Sequence, residues 1–581
     1  MKLSSVVAVA GLLAATEAAP SSQHVLLERS SSKPPNFLFI LTDDQDLQLN
    51  SPAYTPKILN RIKEKGVDFT NHFVTTALCC PSRVSLWTGK QAHNTNVTDV
   101  SPPWGGYPKF VAQGFNEDWF PVWMQNAGYD TYYTGKMMNA HSVDTYNSPF
   151  IKGFNGSDFL LDPYTYSYYN STYQRNHDEP KSYAGQYTTD VITEKGLGFL
   201  NDALEGDRPF FLTVAPIAPH SNIDPAVSMS DGPTIMEAPI SAPRHEHLFK
   251  DVKVPRTANF NPANRTGVSW VNNLALQNQT VVDYEDHFYR QRLRALQSVD
   301  EMVDRLIDRL EESGEIDNTY IIYSADNGFH IGQHRMPPGK ATGYEEDIRV
   351  PFFIRGPGIP EGKSIDSVTT HIDLAPTFFE LAGIPLRKDF DGTPMAIAHK
   401  SASIKHEHVA VEFWGTAVLE GIYARLGPDG ATHAPNNSYK SARILGHGYN
   451  LYYAVWCTGE HELYDLSTDP YQINNIYPFH NGTKAQKFLG RPLPTVLNRL
   501  DALVLVLQSC QGNTCIEPWH VLHPDGSVKS LRDALSPKYD RFYLEQPKVE
   551  YEECLDGHII SNEGPQVGYQ YRHGLSWEAW T

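Results

Sequence analysis

The 581-residue chain is poor in cysteine, in positive charge and in long apolar runs, and each shortage excludes something. Six cysteines are too few for a disulfide scaffold, so the fold must rest on an apolar core. Lys and Arg number 48 against 67 Asp and Glu, a net charge of −19. That balance argues against partners such as nucleic acid or an anionic membrane surface, since both require basic patches. After the N-terminal segment, no uninterrupted apolar stretch is long enough to cross a bilayer, so no membrane insertion is expected.

Hydrophobic residues make up 40% of the chain and aromatics 12%, enough to fill a sizeable interior. The length exceeds what one core usually serves, which predicts a large domain at 20–395 and a smaller one at 396–581. Residues 1–19 begin with Lys2, run apolar from Val6 to Ala15 and end on Ala18 and Ala19 before Pro20. This is the layout of a secretory signal peptide and predicts a secreted or secretory-pathway protein. Asn-x-Ser/Thr triplets at Asn96, Asn155, Asn170, Asn264, Asn278, Asn436 and Asn481 suit that compartment as glycan acceptors. Cys457, Cys510, Cys515 and Cys554 fall in the last quarter, where two bridges are expected. Cys510 with Cys515 is the easiest pairing, although spacing alone leaves the connectivity open.

Residues 37–41 form an apolar run with Pro35-Asn36 before it and carboxylates after it, the pattern of a buried strand. Comparable runs lie at 129–133, 210–214, 320–323 and 352–354. Between them are helical patterns, the clearest placing Leu293, Leu296, Val299, Val303, Leu306 and Leu310 on one face. Strands alternating with helices predict an α/β domain, whose ligands bind where the strands end. Asp43 and Asp44 follow the first run, Gly135 and Lys136 the second, His220 the third, and Asp326 and Asn327 the fourth. Short runs at 409–413, 449–456 and 462–466, with a helix near 496–507, predict an antiparallel sheet in the smaller domain. Residues 393–405 read as the connection, and the irregular 216–279 as a long excursion over the site.

Asp43, Asp44, Asp326 and Asn327 make an oxygen-only donor set, which suits Ca²⁺ or Mg²⁺ over zinc, with Ca²⁺ the better choice. An isolated Asp-Asp or Asp-Asn-Gly is usually a turn; two such pairs, each after a predicted strand, are what raise the metal reading. Arg83, Lys136, His220 and Lys340 are local cations that could serve an anionic ligand despite the acidic chain. The most specific motif is Cys79-Cys80-Pro81-Ser82-Arg83, followed by Leu86 and Thr88-Gly89-Lys90.

That motif resembles the signature of the formylglycine-dependent sulfatases. The resemblance runs from Pro35-Asn36 through Arg349-Val350-Pro351 and Asp373-Leu374-Ala375-Pro376-Thr377 to Leu463-Tyr464-Asp465-Leu466. It implies an alkaline-phosphatase-like α/β fold: a large mixed sheet flanked by helices, with a smaller C-terminal domain holding an antiparallel sheet. It further implies hydrolysis of sulfate esters by an aldehyde hydrate made from Cys79, with a formylglycine-generating enzyme as maturation partner. In the family one hydroxyl of that hydrate attacks sulfur and the other later expels sulfate. The Asp43, Asp44, Asp326 and Asn327 positions match the family's metal ligands, and Arg83, Lys136, His220 and Lys340 the groups around the aldehyde and sulfate. The Cys79-Cys80 doublet and Leu41-Thr42-Asp43-Asp44-Gln45-Asp46 look closest to the N-acetylglucosamine-6-sulfatase and extracellular endosulfatase branch and to fungal arylsulfatases. Where the commoner pattern has a histidine two residues after the Gly-Lys lysine, this chain has Met138. Asn139 is the expected replacement and His141 the second choice, with His330 and, more weakly, His334 as further substrate contacts. A phosphodiesterase or phosphonate hydrolase, and a binding glycoprotein without turnover, remain alternative readings.

Overall fold

In a computed structural model the described residues are 33–225, 236–397, 406–424, 433–478 and 487–572. The expected signal peptide, Asn481 and most of the 393–405 connection lie outside them. The principal element is a ten-stranded mixed sheet. Its order is Lys363–Ile365, Val67–Phe69, Phe352–Arg355, Thr319–Ala325, Asn36–Thr42, Phe210–Ala215, Asp130–Gly135, Gly156–Leu160, Thr172–Arg175 and Lys181–Ser182. The central five, from Thr319–Ala325 to Gly156–Leu160, are mutually parallel. All seven residues of Asn36–Thr42 are buried, as expected of a strand covered on both faces.

Alternation along that strand divides the core in two. Phe37, Phe39 and Leu41 join a cluster with Val84, Trp87, Phe120 and Phe378 from the helices Cys79–Thr88, Phe120–Asn126 and Leu374–Ala382. Leu38 and Ile40 face the opposite cluster, formed with Val191, Phe199, Leu296, Val299 and Leu306 of Thr188–Glu205 and Gln279–Ser313. The latter helix, 35 residues long, carries the apolar face read from the sequence, and Asn278 caps its start by accepting from Val281 N. The 352–354 run forms a strand, but it pairs antiparallel to Thr319–Ala325. Only the 26 residues 326–351 separate the two, and they are spent on site loops instead of a crossover helix.

The C-terminal part contains the antiparallel sheet His408–Phe413, Tyr439–Gly446, Tyr449–Trp456, His461–Asp465, with Leu493–Leu507 packed on one face. Tyr439–Gly446 had no sequence signal, because Lys440, Ser441 and Arg443 interrupt its apolar pattern. Both bridges are present, Cys457–Cys554 and Cys510–Cys515. The short strand Ala417–Leu419 pairs with Gly339–Lys340 and so reaches back to the edge of the large sheet's loops. Among the described residues no helix is long and apolar enough to cross a membrane.

Candidate active site

The parallel strands deliver their following residues to one place. Asp43 and Asp44 leave Asn36–Thr42, Lys136 leaves Asp130–Gly135, and Asp326 and Asn327 leave Thr319–Ala325. Gly135 has to be glycine: its φ is +107°, and a Cβ there would lie 2.1 Å from the Ala215 carbonyl oxygen. This close approach lets Lys136 N donate to Ala215 O and fixes where the lysine departs.

Cys79 opens the helix Cys79–Thr88, so its side chain stands at the positive end of the helix dipole. Pro81 is tolerated there because its missing N–H belongs to the first turn. Roughly 100° of helical rotation separates the two cysteines. Cys79 Sγ therefore turns to the carboxylates, 3.4 Å from Asp43 Oδ1 and 3.2 Å from Lys340 Nζ, whereas Cys80 enters the core beside Val84 and Trp87.

Three charge pairs close the cluster. Lys136 Nζ donates to Asp43 Oδ2 at 2.5 Å, Lys340 Nζ to both oxygens of Asp44, and Arg83 Nε to Asp326 Oδ2 at 2.8 Å. Asp326 Oδ1 accepts from the backbone N of Asp44 and Asn327. Burial pushes the Asp43 carboxyl up to about 7, with Asp326 adding to the effect. Burial also opposes the charge on Asp44, yet Lys340 and His220 hold it below the ordinary range. Lys136 and Lys340 stay above the ordinary lysine value, because Asp43 and Asp44 respectively outweigh burial. Burial, then Asp43, raise the Cys79 thiol well above its usual value, with Lys136 and Lys340 acting the other way.

His220 Nδ1 donates to the Ser221 carbonyl, which turns Nε2 toward Asp44 Oδ2 at 3.5 Å. Burial brings its pKa down to about 3. Asn139 starts no helix; its amide donates to the Tyr166 hydroxyl at 2.6 Å. His141 is not brought to the cluster. Its ring packs against Tyr107 and Phe159, because Ala140, at φ +56° with its N–H on Asp162, turns the chain away. His330 and His334, which as loop histidines would ordinarily be exposed, are both buried. His330 Nδ1 meets Asp347 at 2.8 Å, and its backbone pairs with Gly339, next to Lys340. His334 is held by Thr266 of the 216–279 excursion and stacks on Tyr344.

Two contributors escaped the sequence reading. Tyr166 lies between two sheet strands in the tyrosine-rich stretch Tyr164-Thr165-Tyr166-Ser167-Tyr168-Tyr169, with no motif around it. Glu420 arrives from the C-terminal part through the pairing of Ala417–Leu419 with Gly339–Lys340; one carboxylate oxygen accepts from Ser221 Oγ and the other is buried without a hydrogen-bond partner. Neither carries a motif, since both are recruited by long-range packing.

The donor set fits a hard divalent cation. The Asp43, Asp44 and Asp326 carboxylates are wholly buried side by side, and the Asn327 carbonyl oxygen beside them is buried with no hydrogen-bond partner. Such an orphaned acceptor is costly unless something binds it.

Residues 35–384 match the Sulfatase family model, and 332–498 match that of the C-terminal region of N-sulphoglucosamine sulphohydrolase. The chain is 41% identical to an arylsulfatase of Volvox carteri, over 91% of this chain and 83% of that protein. It is 32% identical to a human N-acetylglucosamine-6-sulfatase, over 84% and 87%. A solved protein in complex with its substrate D-glucosamine-2-N,6-O-disulfate superposes with a TM-score of 0.61 at 24% identity, covering 76% of this chain and 93% of that one. The phosphonate monoester hydrolase of Silicibacter pomeroyi shares the fold as well, with a TM-score of 0.50 at 20% identity over 76% and 90%. Fold alone does not separate sulfur from phosphorus esters, but the sequence relatives do. With its alkaline-phosphatase-like sheet and its match across both family models, the chain belongs to the sulfatase family and is a sulfuric ester hydrolase.

Proposed function

We propose that the protein is a secreted, Ca²⁺-dependent sulfatase acting on aryl sulfates or sulfated sugars with a formylglycine derived from Cys79. The single observation behind this is the meeting of Cys79 Sγ with Asp43, Asp44 and Lys340 at the start of a helix. A hydrated aldehyde at 79 supplies an oxygen nucleophile in place of the thiol. Asp43, Asp44, Asp326 and Asn327 would hold Ca²⁺, which supplies positive charge for the ester's anionic oxygens.

The charge count supports the same reading. Three carboxylates, Asp43, Asp44 and Asp326, face three cations, Arg83, Lys136 and Lys340, so the protein groups cancel. A divalent cation shared by the carboxylates leaves the lysines and the arginine in excess for a sulfate monoester. Arg83 Nη2 is a buried donor with no hydrogen-bond partner, suited to a sulfate or hydrate oxygen. Lys136 and Lys340 neutralise and align, and His220 Nε2, left without a proton by the Nδ1–H bond to the Ser221 carbonyl, can accept a proton from a reacting hydroxyl. His330, whose Nε2 is buried without a hydrogen-bond partner and whose backbone pairs with Gly339 next to Lys340, would be a substrate contact. Residues 20–395 would form the catalytic domain and 396–581 the subdomain that supplies Glu420.

Mass analysis of the Cys79 peptide from active protein tests this. The expected species has an aldehyde at 79 and an intact thiol at 80, and Cys79→Ala is folded but inactive. Unmodified Cys79 in fully active protein sinks the mechanism. Parallel turnover of an aryl sulfate and an aryl phosphate diester should favour the sulfate.

A further inference from the structure

Tyr166, which no motif named, touches three residues of the proposed machinery at once: His220, Lys136 and Asn139. Its ring stacks on His220 with centroids 4.1 Å apart and planes at 22°. Lys136 Nζ stands over the same ring, 4.7 Å from its centroid. Its hydroxyl accepts from Asn139 Nδ2 at 2.6 Å. Only 8% of the residue is exposed. The backbone around it is fastened to the His220 loop as well: Ile223 N donates to Tyr166 O at 3.1 Å, and the Tyr168 hydroxyl to His220 O at 2.8 Å.

We propose that Tyr166 is the positioning residue that compensates for Met138, holding His220, Lys136 and Asn139 in one geometry. The methionine packs in the apolar core and has no group with which to orient a neighbour. An aromatic face can do so in two ways at once: its negative quadrupole attracts the Lys136 ammonium, and its plane limits the tilt of the imidazole. The hydroxyl then fixes the side-chain amide at 139. The tyrosine thus acts through other residues and need not touch the ester.

This inference rests on the roles proposed above for Lys136 and His220. Tyr166→Leu, Tyr166→Phe, Asn139→Ala and the Tyr166→Phe/Asn139→Ala double variant would be compared on an aryl sulfate, with calcium content, melting temperature and the mass of the residue-79 peptide recorded for each. Tyr166→Leu should lower kcat by about 100-fold while KM changes by less than about threefold, the size of loss that a small misplacement of reacting groups produces. Tyr166→Phe keeps the ring and should restore kcat to within about tenfold of wild type. Its residual loss should match that of Asn139→Ala and should not add to it in the double variant. Wild-type kcat in Tyr166→Leu, or Tyr166→Phe as slow as Tyr166→Leu, overturns the proposal. If Tyr166→Leu does not fold, the double variant decides, and additive losses overturn it. An active wild type with intact Cys79 instead defeats the aldehyde reading, while the ratios among the Tyr166 variants still report on positioning.

Discussion

Lys340 Nζ donates to both carboxylate oxygens of Asp44, at 2.5 and 2.6 Å, across 296 residues of sequence. The lysine sits on a two-residue strand whose partner, Ala417–Leu419, comes from the C-terminal part. The C-terminal region is therefore built into the wall of the site, and the two parts of the chain complete one charge cluster.

The oxygen donors define a metal prediction. Asp326→Ala should lose bound calcium and turnover together, and it also removes the carboxylate to which Arg83 Nε donates. Elemental analysis of wild type should give calcium near one equivalent. Stoichiometric zinc, or activity that persists after exhaustive chelation, would be the contrary result.

Asn139 and His141 should separate by phenotype. Asn139→Ala removes the amide held by Tyr166 and should lower kcat severalfold with little change in melting temperature. His141→Ala empties a buried place between Tyr107 and Phe159 and should cost about 2–4 kcal/mol of stability, with kcat of the folded enzyme unchanged. Thermal unfolding and steady-state kinetics on both variants check this.

A buried ion pair far from the ester predicts a pH dependence of stability. His93 Nδ1 donates to Glu412 at 2.9 Å and Nε2 to the Cys510 carbonyl at 2.9 Å, so both ring nitrogens face acceptors. Burial opposes the charge, but Glu412 outweighs it and holds the histidine above its ordinary value; Glu412 is held well below its own by His93 and then Lys440, again against burial. With the folded value raised, the histidine's contribution is complete below its unfolded value of about 6.5 and fades as pH climbs through the raised one. Glu412 gives way only in strong acid. His93→Gln should therefore lower stability by about 3–5 kcal/mol at pH 6, with the gap to wild type shrinking toward pH 9. Denaturant melts at the two pH values measure it, and a gap that widens with pH contradicts the assignment.

The disulfides should differ in worth. Cys457–Cys554 spans a separation of 97 residues and Cys510–Cys515 one of 5. Loop-closure entropy assigns roughly 4–5 kcal/mol to the first and about 2 kcal/mol to the second. Cys554→Ser should thus lower the denaturation midpoint more than Cys515→Ser does.

The sequence by itself determined four of the five central strands, the long amphipathic helix and the cysteine motif that opens the helix at the site. Those signals are local: apolar runs ended by carboxylates, a 3.6-residue periodicity, and a contiguous Cys-x-Pro-Ser-Arg. It also named most of the charged cluster, because in a parallel sheet the residues after each strand converge on one edge. Tertiary structure alone decided the antiparallel direction of Phe352–Arg355, the strand Tyr439–Gly446 with its polar interruptions, and the removal of His141 into the core at the Ala140 turn. It alone brought Tyr166 onto His220 and Lys136, and Glu420 onto Ser221, across 54, 30 and 199 residues. Such contacts leave no periodicity or spacing in the chain, because they depend on how separate loops pack once the sheet has formed.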